Sequence, residues 1–408
     1  MSQNNWQQKM IHTAKKNQDN LFQSLNNLNF ISRNEKKVTL EDNIEYTEFL
    51  SCSYLGLDQD SRLISSVGNE LEKTGILFSS SRTRLKHKSF DILTDSLNNI
   101  FNAQTVFFSS THLAHLGLIP LLASGELPGF QFSNTKIAFL LDKSVHASIK
   151  INRGMMQQFG SVELMDFSNI EILKEKMSQL KMESITPLLF SDSVCSMGGV
   201  MDIVELLSLA QKYDGFLYLD DAHGMSIYGK HGSGYVLDQF NHVLPERLLL
   251  VTSLAKGFGT YGGAVALPNT LATDFVKKYC STYLFSGPAI IPLINASIAS
   301  ANIHLSSEIT TLQNTLLDKI KLFDKLCNIG KDKTLNFGIK SPIRGVFIGE
   351  ECRAIQVGVD IKKLGHLVNV AAYPTTKSGN CILRICISAN HTDKEISQLC
   401  KAINQVLN

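Results

Sequence analysis

The chain of 408 residues has no Cys-x-x-Cys pair among its eight cysteines, no leader-like amino terminus and no charge-free apolar run of membrane-spanning length. The closest cysteines, Cys381 and Cys386, lie in a segment that reads as a strand, so reduced structural thiols are expected rather than a disulfide framework. Charge of one sign is also missing: 39 Lys and Arg against 37 Asp and Glu leave a net charge of +2, which carries no footprint of a nucleic-acid or acidic partner. The one dense basic run, Arg82-Thr83-Arg84-Leu85-Lys86-His87-Lys88, reads first as a solvated face. Met1 to Trp6 is polar and lacks the apolar core of a leader, so a cytoplasmic location with no membrane span is the expectation. No internal repeat or low-complexity tract is visible. With 44% hydrophobic and 19% charged residues the chain is long enough for one large domain and a smaller one.

Two short segments stand out. Phe216-Leu217-Tyr218-Leu219-Asp220-Asp221-Ala222-His223 is an apolar run that stops at two carboxylates and an imidazole. Leu248-Leu249-Leu250-Val251-Thr252-Ser253-Leu254-Ala255-Lys256-Gly257 is a second apolar run, ending in hydroxyls and a lysine. Continuous apolar runs of this length read as buried parallel strands, and the two polar ends are expected to face each other across a gap. In open α/β sheets ligands bind at the carboxyl ends of the strands, so both clusters should serve one site. An Asp, a His and a Lys so placed suit pyridoxal phosphate: the Lys amine can bond the cofactor, and the Asp can keep its ring nitrogen protonated.

These two boxes, with Lys256 following His223 by 33 residues, resemble those of the α-oxoamine synthases, a family of fold-type I pyridoxal phosphate enzymes. Further matches run from about residue 48 to 400. Tyr54-Leu55-Gly56-Leu57 resembles the family's entry to the large domain, and Ser79-Ser80-Ser81-Arg82 its serine-rich turn. Asp142 to Ser148 resembles its Asp-x-x-x-His-Ala-Ser pattern, and Ser196-Met197-Gly198-Gly199 its Ser-Met-Asp/Gly-Gly turn. Leu383-Arg384-Ile385 with Ala389-Asn390-His391-Thr392 resembles its closing signature. Three departures stand out. Ser53 replaces an Asn, Thr111-His112 replaces Gly or Cys followed by an aromatic, and the usual His-x-x-Leu-Glu is absent after Arg82.

The resemblance implies a role for each matching residue. Lys256 holds the cofactor and moves protons, Asp220 keeps the pyridinium charged, His223 and Ser196 orient the ring oxygen, and His146 covers the ring. Ser253 and the turn Ser110-Thr111-His112 hold the phosphate, aided by Ser286 from the other subunit of a homodimer with composite sites. Arg384, with Ser53, binds the substrate carboxylate, and Arg82 is the alternative receptor. No metal is called for. The implied fold is α/β: a large domain over 51–295 with a mostly parallel seven-stranded sheet, a smaller α+β domain over 296–408, and an amino-terminal arm over 1–50.

The implied reaction joins an amino acid to an acyl-CoA, usually with loss of the carboxylate, to give an α-aminoketone. Ser253-Leu254-Ala255-Lys256 looks like the branch that makes fatty-acyl signal precursors. The alternatives are 8-amino-7-oxononanoate synthase of the biotin pathway and an aminotransferase.

Overall fold

The computed structural model describes residues 6–132, 134 and 136–407. The chain forms two compact units: one contains Leu57–Ser196 and Val200–Gln313, the other the stretch up to Gly56, Met197–Gly199 and the chain from Asn314 onward.

The first unit is built on seven strands: β1 (Gln104–Phe108), β2 (Lys136–Asp142), β3 (Ser161–Met165), β4 (Ile185–Asp192), β5 (Phe216–Asp220), β6 (Leu248–Ser253) and β7 (Gly263–Leu267). They lie side by side in the order β1-β7-β6-β5-β4-β2-β3. All neighbours are parallel except at β7, which runs antiparallel to both β1 and β6. The mostly parallel seven-stranded sheet expected from the sequence is therefore present. The two polar-ended segments are not separated by a gap, however: β5 and β6 are hydrogen-bonded neighbours, with Leu217 opposite Leu248 and Asp220 opposite Val251.

Because successive side chains on a strand point to opposite faces, the sheet feeds two cores. Phe139, Leu141, Leu188, Phe190, Phe216, Tyr218, Leu249 and Val251 pack on one face with Ala114, Leu118 and Leu122 of the helix Thr111–Ala123. Leu140, Leu189, Leu217, Leu219, Leu248 and Leu250 pack on the other with Leu93 and Leu97 of Ser89–Phe101 and Leu206 of Ile203–Lys212. Burial on both faces explains why these strands read as continuous apolar runs.

Single residues set several helix boundaries. The chain breaks between Ser61–Ser66 and Leu71–Thr74, because Gly68 and Asn69 are weak helix formers and Glu70 takes a left-handed conformation. The helix Thr111–Ala123 is capped by Ser110, whose hydroxyl accepts the Leu113 N–H at 3.2 Å. Ile291–His304 and Glu308–Leu326 are separate helices.

The second unit contains two four-stranded sheets. Phe30–Asn34, Lys37–Leu40 and Glu45–Glu48 form an antiparallel meander, to which His366–Leu367 adds in parallel. Thr334–Leu335, Ile343–Gly349, Cys381–Cys386 and Asn369–Ala371 form the other, wholly antiparallel, sheet. Helices Trp6–Ser24, Glu351–Lys363 and Asp393–Leu407 accompany them. The cysteines are free thiols, as expected, and among the described residues no helix is long and apolar enough to cross a membrane.

One close approach fixes where β7 meets the Ser110–Thr111 turn. A β-carbon on Gly263 would lie 2.8 Å from Thr111 Cα and 2.9 Å from its nitrogen, backbone atoms that cannot swing aside. Gly263→Ala should therefore destabilise the protein by about 1–3 kcal/mol, the range for overpacking, seen as a lower urea midpoint at unchanged slope.

Candidate active site

The carboxyl ends of β4, β5 and β6 carry five of the polar residues singled out in the sequence: Ser196, Asp220, His223, Ser253 and Lys256. Alternation along β5 sends Asp220 to the same face as Phe216 and Tyr218, and the next residue, Asp221, toward the opposite face. Both carboxyls are buried, yet their environments differ. Asp220 Oδ2 accepts from His115 Nε2 at 3.0 Å and Oδ1 from the Ala222 N–H at 2.9 Å. Burial alone would raise its pKa; the His115 hydrogen bond, attraction to His115 and the charge of Lys256 instead hold it down at about 2. Asp221 accepts from the Ser193 hydroxyl and from the Val236 N–H at 3.2 Å, but burial dominates and pushes it up to about 7.

Lys256 lies just beyond β6, and its Nζ is 2.9 Å from His223 Nε2, so the two boxes of the sequence do meet. His146 caps the short helix Ala147–Lys150 after β2, with Nδ1 2.7 Å from the Ser148 hydroxyl, while its backbone N–H donates to Asp192 Oδ1 at 3.0 Å. Its pKa is lowered by burial, with Asp220 opposing that shift and Lys256 and His115 adding to it, which places His146 in the electrostatic field of the cluster. Asp192, buried beside Asp220, is raised well above the carboxylate range by burial and by that neighbour's charge.

The hydroxyl groups are arranged around this cluster. Ser253 ends β6, and its Oγ accepts the Ala255 N–H at 3.2 Å. Thr111 Oγ1 donates to the Thr252 carbonyl at 3.4 Å, tying the start of helix Thr111–Ala123 to β6. His112 is exposed in the first turn of that helix, inside the helix and not in the turn before it as expected. Ser196 follows β4 in the turn closed by the Val194–Val200 bridge.

Other candidates lie elsewhere. Arg82 is buried: Nη1 donates to the Phe107 carbonyl at 2.9 Å, Nη2 to the Gly287 carbonyl at 3.3 Å and Ser286 Oγ at 3.4 Å, and the guanidinium stacks 4.5 Å from the Tyr283 ring centroid. These bonds anchor the Ser79–Thr83 turn and leave less of the guanidinium for a substrate. Ser286 itself donates to the Thr282 carbonyl at 2.5 Å. Arg384 and Ser53 both belong to the second unit. Arg384, buried on Cys381–Cys386, has Nη1 3.1 Å from Cys386 Sγ and Nη2 3.6 Å from Cys52 Sγ, which brings it beside the Cys52-Ser53 segment.

His115 and Tyr218 join the site without being singled out by any motif in the sequence. The period of two along β5 already aligned Tyr218 with Asp220; that His115 joins them across 105 residues of chain was not visible in any local pattern.

The two aspartates should separate in a pH titration. A carboxyl whose folded pKa is raised stabilises the fold below its unfolded value, and that contribution is lost as pH rises through the folded value. For Asp221 the window runs from 3.8 to about 7. Melting of cofactor-free wild type beside Asp221→Asn should therefore show the difference shifting in favour of the variant across that window and staying constant above it. A pH-independent difference would contradict the raised pKa.

Comparison with known proteins agrees with this architecture. The profile of the family described as aminotransferase class I and II matches residues 93–403. The 8-amino-7-oxononanoate synthase of Hahella chejuensis is 28% identical over 400 residues, covering 96% of this chain and 94% of its own. That of Marinomonas sp. is 27% identical over 370 residues, covering 89% and 86%. Among solved structures, a serine palmitoyltransferase from S. paucimobilis superposes with a TM-score of 0.83 at 19% identity, covering 98% of this chain and 97% of its own. The 8-amino-7-oxononanoate synthase from Francisella tularensis gives 0.69 at 21%, covering 88% and 97%. At these identities the solved structures speak for the fold, and with the family profile and the full-length relatives they lead to one assignment: the chain belongs to the aminotransferase class I and II family, within its α-oxoamine synthases.

Proposed function

We propose that this chain is a pyridoxal phosphate-dependent acyltransferase that condenses an amino acid with an acyl-CoA. The observation that carries this reading is the Lys256 amine 2.9 Å from His223, beside an Asp220 held ionised in the core. This donor set fits the cofactor: an anionic carboxylate for the ring nitrogen, an amine for the aldehyde, and a Ser110-capped helix N-terminus for the phosphate. When bound, pyridoxal phosphate supplies an electron sink for the amino-acid α-carbon. Within the chain, Lys256 Nζ holds the cofactor and accepts or returns the α-proton, with His223 Nε2 as its hydrogen-bond partner. Asp220 stays anionic and keeps the ring nitrogen protonated, His146 lines the ring, and Ser196 with His223 orients its oxygen. Ser253, Ser110, Thr111 and His112 serve the phosphate. Arg384, assisted by Ser53, binds the amino-acid carboxylate, a task that suits a guanidinium fork. The new carbon–carbon bond forms at the thioester carbonyl, its C–S bond breaks, and coenzyme A leaves as the thiol; in the decarboxylating form the carboxylate leaves as carbon dioxide.

Two finer readings belong to the same proposal. The Ser253-Leu254-Ala255-Lys256 stretch favours a fatty-acyl substrate and a signal-precursor product, whereas the full-length relatives named 8-amino-7-oxononanoate synthase favour the biotin-pathway branch. We also infer a homodimer. Leu77 and Phe285 are 74% and 86% exposed, and the two segments carrying them are joined where Ser81 Oγ donates to the Leu284 carbonyl at 3.1 Å. Large apolar side chains this open suit burial against a second copy.

The test is thiol release from acyl-CoAs of graded length against a panel of amino acids. Wild type should release thiol only with both substrates present, and Lys256→Ala should abolish both release and the borohydride-fixed cofactor adduct. Thiol release by Lys256→Ala at the wild-type rate would overturn the reading. In the same assay Arg384→Ala should raise the amino-acid KM by roughly 10- to 150-fold, the loss of a charge-assisted hydrogen bond worth about 1.5–3 kcal/mol, and Ser53→Ala by less.

For the dimer, light scattering should give twice the chain mass for wild type and a shift toward monomer for the double variant Leu77→Asp, Phe285→Asp. A wild-type monomer at micromolar concentration would refute it.

A further inference from the structure

The helix Thr111–Ala123 packs on the β5 face that carries Phe216, Tyr218 and Asp220, and it places one polar side chain, His115, among apolar ones. His115 has no exposed surface. Its Nδ1 lies 2.7 Å from the Tyr218 hydroxyl and its Nε2 3.0 Å from Asp220 Oδ2. Tyr218 is itself fully buried, stacked on Phe190 at a centroid distance of 4.7 Å. The three groups form a chain from hydroxyl to imidazole to carboxylate, running outward to the carboxyl edge of the sheet.

A buried polar chain is costly unless every member is satisfied, and an apolar residue at position 115 would fill the helix–sheet contact without that requirement. The bonds also define a direction. If the Tyr218 hydroxyl donates to Nδ1, the imidazole proton sits on Nε2 and must point at Asp220; if the imidazole carries both protons, Nε2 still donates there. In either case Asp220 receives a hydrogen bond from behind. Its Oδ1 is fixed by the Ala222 N–H at 2.9 Å, and each oxygen keeps a lone-pair direction for a further donor.

We propose that His115, held by Tyr218, is a positioning residue that aims the Asp220 carboxylate and keeps it anionic toward the ring nitrogen of the bound cofactor. The proposal rests on the cofactor reading above and assigns a role to two residues outside it. His115 does not touch the substrate; it acts through Asp220, by the same outer-partner logic that orients ligands around reactive centres.

The test uses full-length protein loaded with ring-15N pyridoxal phosphate and reads the ring-nitrogen chemical shift by NMR beside steady-state kinetics. Wild type should show a protonated ring nitrogen. His115→Phe, which keeps a ring of similar size but removes both hydrogen bonds, should move that shift toward the unprotonated value and lower kcat by about 10- to 100-fold while the amino-acid KM changes less than threefold. His115→Gln, whose amide can donate from nearly the same place as Nε2, should restore much of both signals, and Tyr218→Phe should move them in the same direction by less. A merely structural histidine would lower stability without moving the ring-nitrogen shift. A wild-type shift and kcat in cofactor-loaded His115→Phe would overturn the proposal; should that variant not fold, an unmoved shift in Tyr218→Phe would do so. Failure of wild type to bind pyridoxal phosphate would instead defeat the functional reading itself.

Discussion

A carboxylate taken out of water must be partnered or it will hold its proton. The carboxyl edge of the large sheet is organised around that constraint. Asp220 and Asp221 are adjacent in the chain and equally buried, but the pleat turns them to opposite faces. One meets an imidazole and has its pKa held down at about 2; the other meets a hydroxyl and backbone N–H groups, but burial pushes its pKa up to about 7. Asp192, on the neighbouring strand, is also biased toward its neutral form, partly by the charge on Asp220. Of these three carboxyls, only Asp220 is held below the ordinary carboxylate value.

The Asp220 carboxylate gives the rest of the edge its sense. Lys256 arrives from β6, the hydrogen-bonded neighbour of β5, and its charge helps hold Asp220 ionised. His146, from the end of β2, feels both groups. The helix beginning at Thr111 brings a different pair of functions: its capped start, close against Gly263, and one turn later the imidazole of His115. A rigid, twice-covered sheet suits this work, because packed strands fix the side-chain directions that a loop would leave open.

The second unit works by other means. Arg384 is set in an antiparallel sheet with thiol sulfurs as neighbours, and its strand partners are Gly345 and Asn369. Thiols accept hydrogen bonds more weakly than carbonyls do. Arg82 shows the contrast: carbonyls at Phe107 and Gly287 take up its donors and make it an anchor for the turn that carries it.

Much of this was legible in the sequence, and the reason is the parallel sheet. A strand buried on both faces must be apolar along its length, so β5 and β6 announced themselves, and each ended in polar residues that the structure gathers at one edge. The Asp220 and Lys256 boxes were readable for the same cause, as polar groups that cannot lie inside such a run. Helix boundaries were less legible, since Ser110 as a cap and Gly68-Asn69 as a break act through single residues. Three things were decided only by the tertiary structure: that β5 and β6 are neighbours, that Asp220 and Asp221 are shifted in opposite directions, and that His115 stands behind Asp220. Each depends on which helix covers which face of the sheet, and local periodicity carries no record of that choice.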